Sequence, residues 1–392
     1  MANMWKSLLL VAIYVVASPV DADTLDVTKY LQPGHDLSQA LATAWKEACA
    51  SPGLSKLVIP GGTYRLGEVV LSGPCKGPVV LQVDATLVAP VNHNEIKGGG
   101  WVTVQNVDQF TLTGSGTFDG QGQYAWTKND CSKTWNCLSL PINLRFHFIT
   151  NSLINGITSL DSKQFHVNVL GCRNLTFQYL KITAPGDSPN TDGIHIGRSN
   201  GVNIFNVQIK TGDDCVSLGD GCQNVNITGV TCGPGHGISV GSLGKYPGEE
   251  PVSGITVKNC TLKNAMNGLR IKTWPASLRG TASNMHFEDI VMDNVGNPVI
   301  IDQQYCPWNQ CKKNAPSLIK IQDVSFKNIR GTSSTPEVVK LACSSQFPCK
   351  NVQFGNIDLV YHGDKGPATT TCTNIRPAIF GNQNPPLCRD LA

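Results

Sequence analysis

Three aspartates, a histidine and two basic residues in the middle of the chain stand at spacings that suit acid–base chemistry. Asp192, Asp214 and His236 each head a short alternating apolar stretch, and 22 residues separate each from the next. Asp213 immediately precedes Asp214, and Arg270 and Lys272 lie in the following stretch, "NGLRIK". Parallel strands lie about 4.7–4.9 Å apart, so side chains at equal positions on adjacent strands reach a common small ligand, and Asp192 and Asp214 would jointly hold one water. Neighbouring side chains on a strand point to opposite faces, but Asp213 belongs to the turn before the strand and escapes that rule. Three crowded carboxylates repel one another, which raises the pKa of one and favours a protonated acid beside ionised bases. Hydrolysis of a glycosidic bond needs that division of labour.

Singly, each residue has a plainer reading. Asp-Asp is common in polar turns, His236 in "GPGHGIS" caps a turn whose glycines permit tight backbone, and Arg270 with Lys272 forms a solvated basic edge. Clustered aspartates also suit a metal ion, but no calcium-loop pattern is present, and neither a metal nor another cofactor is expected. The joint register favours a site.

The elements that would hold this register come from a repeat. Seven segments share apolar residues at their second, fourth and seventh positions: "NLTFQYL" (174), "GVNIFNV" (201), "NVNITGV" (224), "GITVKNC" (254), "NMHFEDI" (284), "DVSFKNI" (323) and "NVQFGNI" (351), with starts 27, 23, 30, 30, 39 and 28 residues apart. A second series runs with them: "DGIHI" (192), "DCVSL" (214), "HGISV" (236), "NGLRI" (267) and "NPVII" (297). A β-sandwich also has short strands and frequent turns, but two strands at a nearly constant offset within each period are what stacked coils produce. The expected fold is all-β, a single-domain right-handed parallel β-helix. Its open N-terminal end needs a cover, and Asp36 followed by Leu37, Leu41, Trp45 and Ala48 at helical spacing supplies a capping helix. In the second series, Ile194, Ile196, Val216, Leu218, Ile238, Val240, Leu269, Ile271, Val299 and Ile301 should face inward, leaving His195, Ser217, Ser239 and Arg270 outward. Pro, Gly, Thr and Asn after Val360 suggest a less regular C-terminal cover.

The bulk numbers agree with a folded exported protein. Of 392 residues 41 % are hydrophobic and 15 % charged, enough for a sizeable core. Lys6, the apolar run Leu8–Val16 and small residues ending at Ala22 read as a signal peptide over residues 1–22, with a mature domain over 23–392. No later stretch reaches the roughly 20 apolar residues of a membrane helix. A formal charge of +3 supports neither nucleic-acid binding nor attraction to an anionic surface. Fifteen cysteines in an exported chain favour disulfides and leave at least one thiol free. Cys343 with Cys349, Cys372 with Cys388 and Cys215 with Cys232 are close in sequence, though spacing does not fix connectivity. Asn174, Asn226 and Asn259 head glycosylation acceptor motifs.

"NTD" at 190–192, "DD" at 213–214, "GHG" at 235–237 and "RIK" at 270–272 resemble, in order, the motifs of glycoside hydrolase family 28, the polygalacturonases; "DVTKY" at 26–30 and "IIDQQYCP" at 300–307 extend the likeness over nearly the whole mature chain. It looks most like the plant exopolygalacturonases of pollen, some of which are similar to pollen allergens. The resemblance implies a secreted, monomeric cell-wall enzyme that inverts configuration as it hydrolyses α-1,4-galacturonosyl linkages. Asp213 would be the general acid, Asp192 and Asp214 would activate water, and His236 would support the acid or bind substrate. Arg270 and Lys272 would hold a galacturonate carboxylate, and Tyr305 would pack or hydrogen-bond at the same sugar. A polyanionic substrate accounts for a local Arg/Lys pair in a nearly neutral protein. The resemblance favours exo action over endo. A pectate lyase would need calcium-binding carboxylates and an Arg base, which "GHG" and "RIK" count against; a non-catalytic wall-binding protein would not need all three carboxylates.

Overall fold

The computed structural model describes residues 23–131, 133–134 and 139–388. The proposed signal peptide lies outside the described residues. The chain forms a right-handed parallel β-helix whose strands fall into one sheet of 21 strands and one of 11. Every strand pairing is parallel and joins one coil to the next: Arg173–Gln178 to Asn200–Phe205, then to Gln223–Thr228, then to Val252–Lys258. These strands carry the first repeat series. The second series forms the consecutive strands Ile194–Gly197, Val216–Leu218, Ile238–Leu243, Leu269–Thr273 and Val299–Asp302 of the smaller sheet.

The expected facing holds. All ten residues assigned inward are at most 1 % exposed, and His195, Ser217, Ser239 and Arg270 occupy one outward row. Because each coil repeats the same apolar positions, like side chains stack along the axis. Phe287, Phe326 and Phe354 form a ladder with ring centroids 4.9 Å apart at both steps, each contact worth about 0.5–1.5 kcal/mol beyond its buried area.

Helix Leu37–Ala50 covers the N-terminal end. The Asp36 side chain accepts from the Ser38 amide as its N-cap, and Leu37, Leu41, Trp45 and Ala48 are buried on the first coils. Cys49–Cys75 ties its end to a turn. The C-terminal end departs from the irregular cover expected: strands Thr369–Thr373 and Ala378–Asn384 continue the two sheets. The second is largely exposed, including Ile379 and Phe380, since among the described residues no further strand pairs with its outer edge. Turn-forming composition there reflects that lost burial.

Cys215–Cys232, Cys343–Cys349 and Cys372–Cys388 pair as their spacing suggested, and Cys306–Cys311 closes a surface loop. Cys172, Cys222 and Cys260 are free and buried. Burial pushes their thiols up to about 11, 12 and 11, which leaves them inert as nucleophiles. Among the described residues no helix is long and apolar enough to cross a membrane.

Candidate active site

The outward face of the smaller sheet carries a cleft of about 370 Å³ that gathers all seven residues singled out from sequence: Asp192, Asp213, Asp214, His236, Arg270, Lys272 and Tyr305. They come from four successive coils and one loop. Asp192 and Asp214 sit two residues before strands Ile194–Gly197 and Val216–Leu218, and the backbone bond from the Gly193 amide to the Asp214 carbonyl, 2.9 Å, locks the two turns together.

Asp214 is the best-compensated carboxylate. Lys272 Nζ donates to its Oδ2 at 2.7 Å, while Arg270 Nη2 and Ser239 Oγ donate to its Oδ1 at 2.7 and 2.8 Å. Arg270 Nε also donates to Ser239 Oγ at 3.1 Å. Burial alone would raise its pKa, but Lys272 and then Arg270 outweigh burial and hold the carboxyl at about 2. Asp214 is therefore ionised across the neutral range.

Asp192 is buried too, and Lys272 compensates it only weakly. Burial first, then repulsion from Asp213 and Asp214, pushes its carboxyl well above the usual carboxylate range. Ser217 Oγ donates to its Oδ2 at 2.7 Å, and the same hydroxyl lies 2.8 Å from His195 Nδ1. Burial more than crowding raises this carboxyl, and it is one to which the sequence assigned water activation rather than the proton donor's role.

Asp213 is the accessible carboxylate of the three: its side chain is 21 % exposed, against 2 % for Asp214. Its Oδ1 lies 2.9 Å from His236 Nδ1 and accepts from the Asp214 amide at 2.8 Å. The turn conformation assigned from sequence lets Asp213 face the cleft beside Asp214. The His236 turn is built from close approaches. Gly237 has φ +85°, and a Cβ there would stand 2.2 Å from the Gly268 carbonyl oxygen, so only glycine fits.

Lys272 and Arg270 are nearly buried rather than lying on a solvated edge, with side chains 8 % and 12 % exposed. Asp214 raises the Arg270 pKa despite burial, which acts the other way. The Tyr305 ring centroid lies 5.2 Å from Lys272 Nζ and 5.8 Å from Arg270 Cζ, within cation–π range. Burial raises the Tyr305 phenol. One irregularity serves the site: the pairing of Ile238–Leu243 with Leu269–Thr273 slips between Val240 and Leu243, so Gly241 and Lys272 leave the regular row. A Cβ on Gly241 would stand 2.1 Å from the Lys272 carbonyl oxygen.

Asp213, Asp214 and His236 bring one potential ligand atom each within 4.8 Å of one another, a spacing that a metal ion would accept. Asp214, however, already neutralises two fixed cations, and those cations oppose a third positive charge at its oxygens.

Sequence reasoning missed Trp308. It lines the cleft, is 53 % exposed and sits in the loop closed by Cys306–Cys311. Its backbone has φ 52° and ψ 21°, the left-handed region. An exposed indole at a cleft rim is a binding signal, but the loop is an insertion that follows no repeat. Ser239 and Ser217 were placed outward, yet their hydrogen bonds to carboxylates of neighbouring coils appear only in three dimensions.

Comparisons with known proteins place this geometry. Residues 49–383 match the family glycosyl hydrolases family 28. The chain is 57 % identical over 354 residues to an exopolygalacturonase of Oenothera organensis, covering 90 % of this chain and 98 % of that one. It is 53 % identical over 351 residues to an exopolygalacturonase of Platanus acerifolia, covering 89 % and 93 %. Among solved structures, an endo-xylogalacturonan hydrolase from Aspergillus tubingensis superposes with TM-score 0.79 at 27 % identity, covering 92 % of this chain and 98 % of that one. A polygalacturonase from Erwinia carotovora, at 23 % identity and TM-score 0.74 with coverage of 92 % and 97 %, shares the fold. The chain is a glycoside hydrolase and belongs to glycosyl hydrolases family 28.

Proposed function

We propose that the protein hydrolyses α-1,4-galacturonosyl linkages of polygalacturonic acid with inversion, acting from a chain end and releasing galacturonic acid. The observation that carries this reading is the trio at the cleft: accessible Asp213 on His236, ionised Asp214 beneath Arg270 and Lys272, and buried Asp192 with its carboxyl raised. Kinship to plant exopolygalacturonases supports the substrate and the exo mode.

In this reading Asp213, the carboxyl that faces the cleft, protonates the glycosidic oxygen, and His236 at 2.9 Å holds that carboxyl in place. Asp192 and Asp214 hold and activate the attacking water, and inversion requires about 6.5–9.5 Å between acid and base carboxyls to admit it. Arg270 and Lys272 keep spare donors: the guanidinium has five N–H groups and the ammonium three, of which the bonds to Asp214 and Ser239 use two and one. The remaining donors face a galacturonate carboxylate, and Tyr305 packs against the same sugar. The segment after helix Gln123–Trp126 reaches the cleft rim, where Asn129 Nδ2 donates to Asn190 Oδ1 at 3.0 Å. A signal peptide over residues 1–22, the disulfides and the exposed Asn174, Asn226 and Asn259 suit a monomeric enzyme secreted to the cell wall.

Asp213→Asn should lower reducing-end release from polygalacturonic acid by about 10²-fold or more, with substrate binding and melting temperature retained. Near-normal turnover would remove Asp213 as the acid. Chromatography of early products decides the mode: monomer at once supports exo action, and a ladder of oligomers establishes endo.

A further inference from the structure

The outward row of the smaller sheet contains a side chain to which neither the repeat nor the family motifs give a task. His195 stands one residue beyond Gly193-Ile194 on the coil of Asp192, beside Ser217 of the next coil. Its Nδ1 lies 2.8 Å from Ser217 Oγ, and Ser217 Oγ lies 2.7 Å from Asp192 Oδ2. The Phe165 ring, 4.9 Å away between centroids and tilted by 32°, holds the imidazole plane from the other side. We propose that His195 is a positioning residue that acts through Ser217 on Asp192, orienting that carboxylate and favouring the ionised form in which it takes a proton from water.

The hydrogen count fixes the polarity. A serine hydroxyl has one hydrogen. When Asp192 is ionised it only accepts, so Ser217 must spend that hydrogen on Asp192 and must accept from His195, whose Nδ1 then carries the proton. Such a relay needs a neutral imidazole in one tautomer. Burial, then Lys272, lowers His195 to about 4, while Asp214 and Asp220 act weakly the other way. The groups facing Asp192 are Asp213, Asp214, Lys272 and Ser217. Asp214 shares its sign and Lys272 opposes it, so a donor aimed at Asp192 offsets repulsion that the downstream cations relieve mainly at Asp214. One coil on, Ser239 likewise donates to Asp214, but its hydroxyl accepts from Arg270 of the coil beyond it, a cation that also reaches Asp214 directly. His195 occupies the corresponding role without bringing a charge.

This inference rests on the proposed hydrolysis, and its test separates the two. The full chain and its variants are assayed on polygalacturonic acid across pH, and the protonated-carboxyl band is followed by infrared titration without substrate. His195→Ala should move the acid limb of kcat upward by about half a pH unit or more, because a lost donor raises a carboxyl pKa, with KM within about twofold. The carboxyl band should persist to correspondingly higher pH. His195→Asn, whose amide N–H falls near the place of Nδ1–H, should restore both, and His195→Gln should not. Ser217→Ala should reproduce the shift, and adding His195→Ala to it should add nothing further. An unmoved limb and band in His195→Ala, or Asn indistinguishable from Ala, overturns the relay. A shifted carboxyl band in a protein inert toward polygalacturonate would keep the relay and sink the substrate reading.

Discussion

Asp192 and Asp214 occupy the same position on adjacent coils, and each accepts a hydrogen bond from the serine one coil further on, Ser217 at 2.7 Å and Ser239 at 2.8 Å. Backbone, row and burial are shared, yet one carboxyl is pushed well above the usual range and the other held at about 2. The difference comes from what lies beyond the serines. Upstream stand neutral rings, His195 and, one coil earlier, fully buried His166; downstream stand Arg270 and Lys272. A repeating backbone thus supplies equal places, and the side chains flanking them along the axis assign unequal charge states.

Removing the two charges should separate the two places most sharply. Asp214→Asn leaves Arg270 and Lys272 buried without their anion and should cost about 3–5 kcal/mol by chemical denaturation. Asp192→Asn removes a carboxylate that burial disfavours, keeps an acceptor for Ser217, and should raise the melting temperature while lowering kcat by about 10²-fold. Equal stability changes in the two variants would show that the flanking cations are not what distinguishes the coils.

A moderate effect should appear with acid. His166 titrates at about 3 and His195 at about 4 in the folded protein, against about 6.5 when exposed. The unfolded chain therefore takes up protons first, and this contribution to stability is intact above about 6.5 and lost as pH falls toward 3–4. Asp192, raised in the folded state, works in the opposite direction by gaining its proton more readily there. The melting temperature should fall between pH 6.5 and 4, and fall further in Asp192→Asn; a flat profile in that variant would remove the histidines as the acid-sensitive groups. The smallest effect is expected at the rim: Trp308→Ala should raise KM about tenfold, one stacking contact of about 1–1.5 kcal/mol, with stability unchanged because the indole is largely exposed. An unaltered KM would leave Trp308 outside the binding surface.

The fold was legible because every coil restates it: alternation identified Ile194 or Leu269 as inward, and Asp36 with the Leu37–Leu41–Trp45 stripe identified the capping helix. The candidate residues were legible because constant spacing aligned Asp192, Asp214 and His236. What spacing did not carry was the traffic between coils. No periodicity marks the near-burial of Lys272 and Arg270 on Asp214, two coils away, or the slipped pairing at Gly241. Nor does it mark Trp308, which lies in an insertion. Cys172, Cys222 and Cys260 read as cysteines of an exported chain, yet they simply fill apolar positions of the stack, as small hydrophobic side chains do.

The slipped, looped side of the coil has a consequence for how such an enzyme changes over time. Asp192, Asp214 and His236 stand one whole coil of 22 residues apart, and one residue gained or lost in the turns leading into their strands would throw a whole strand out of phase with its neighbours. The turns leaving later strands of the same sheet carry no such count: the segment after Val299–Asp302 runs to Ile319 before the next strand and holds Tyr305, Trp308 and a disulfide. Point substitution is the only currency open to the chemistry, whereas substrate preference is free to evolve by length.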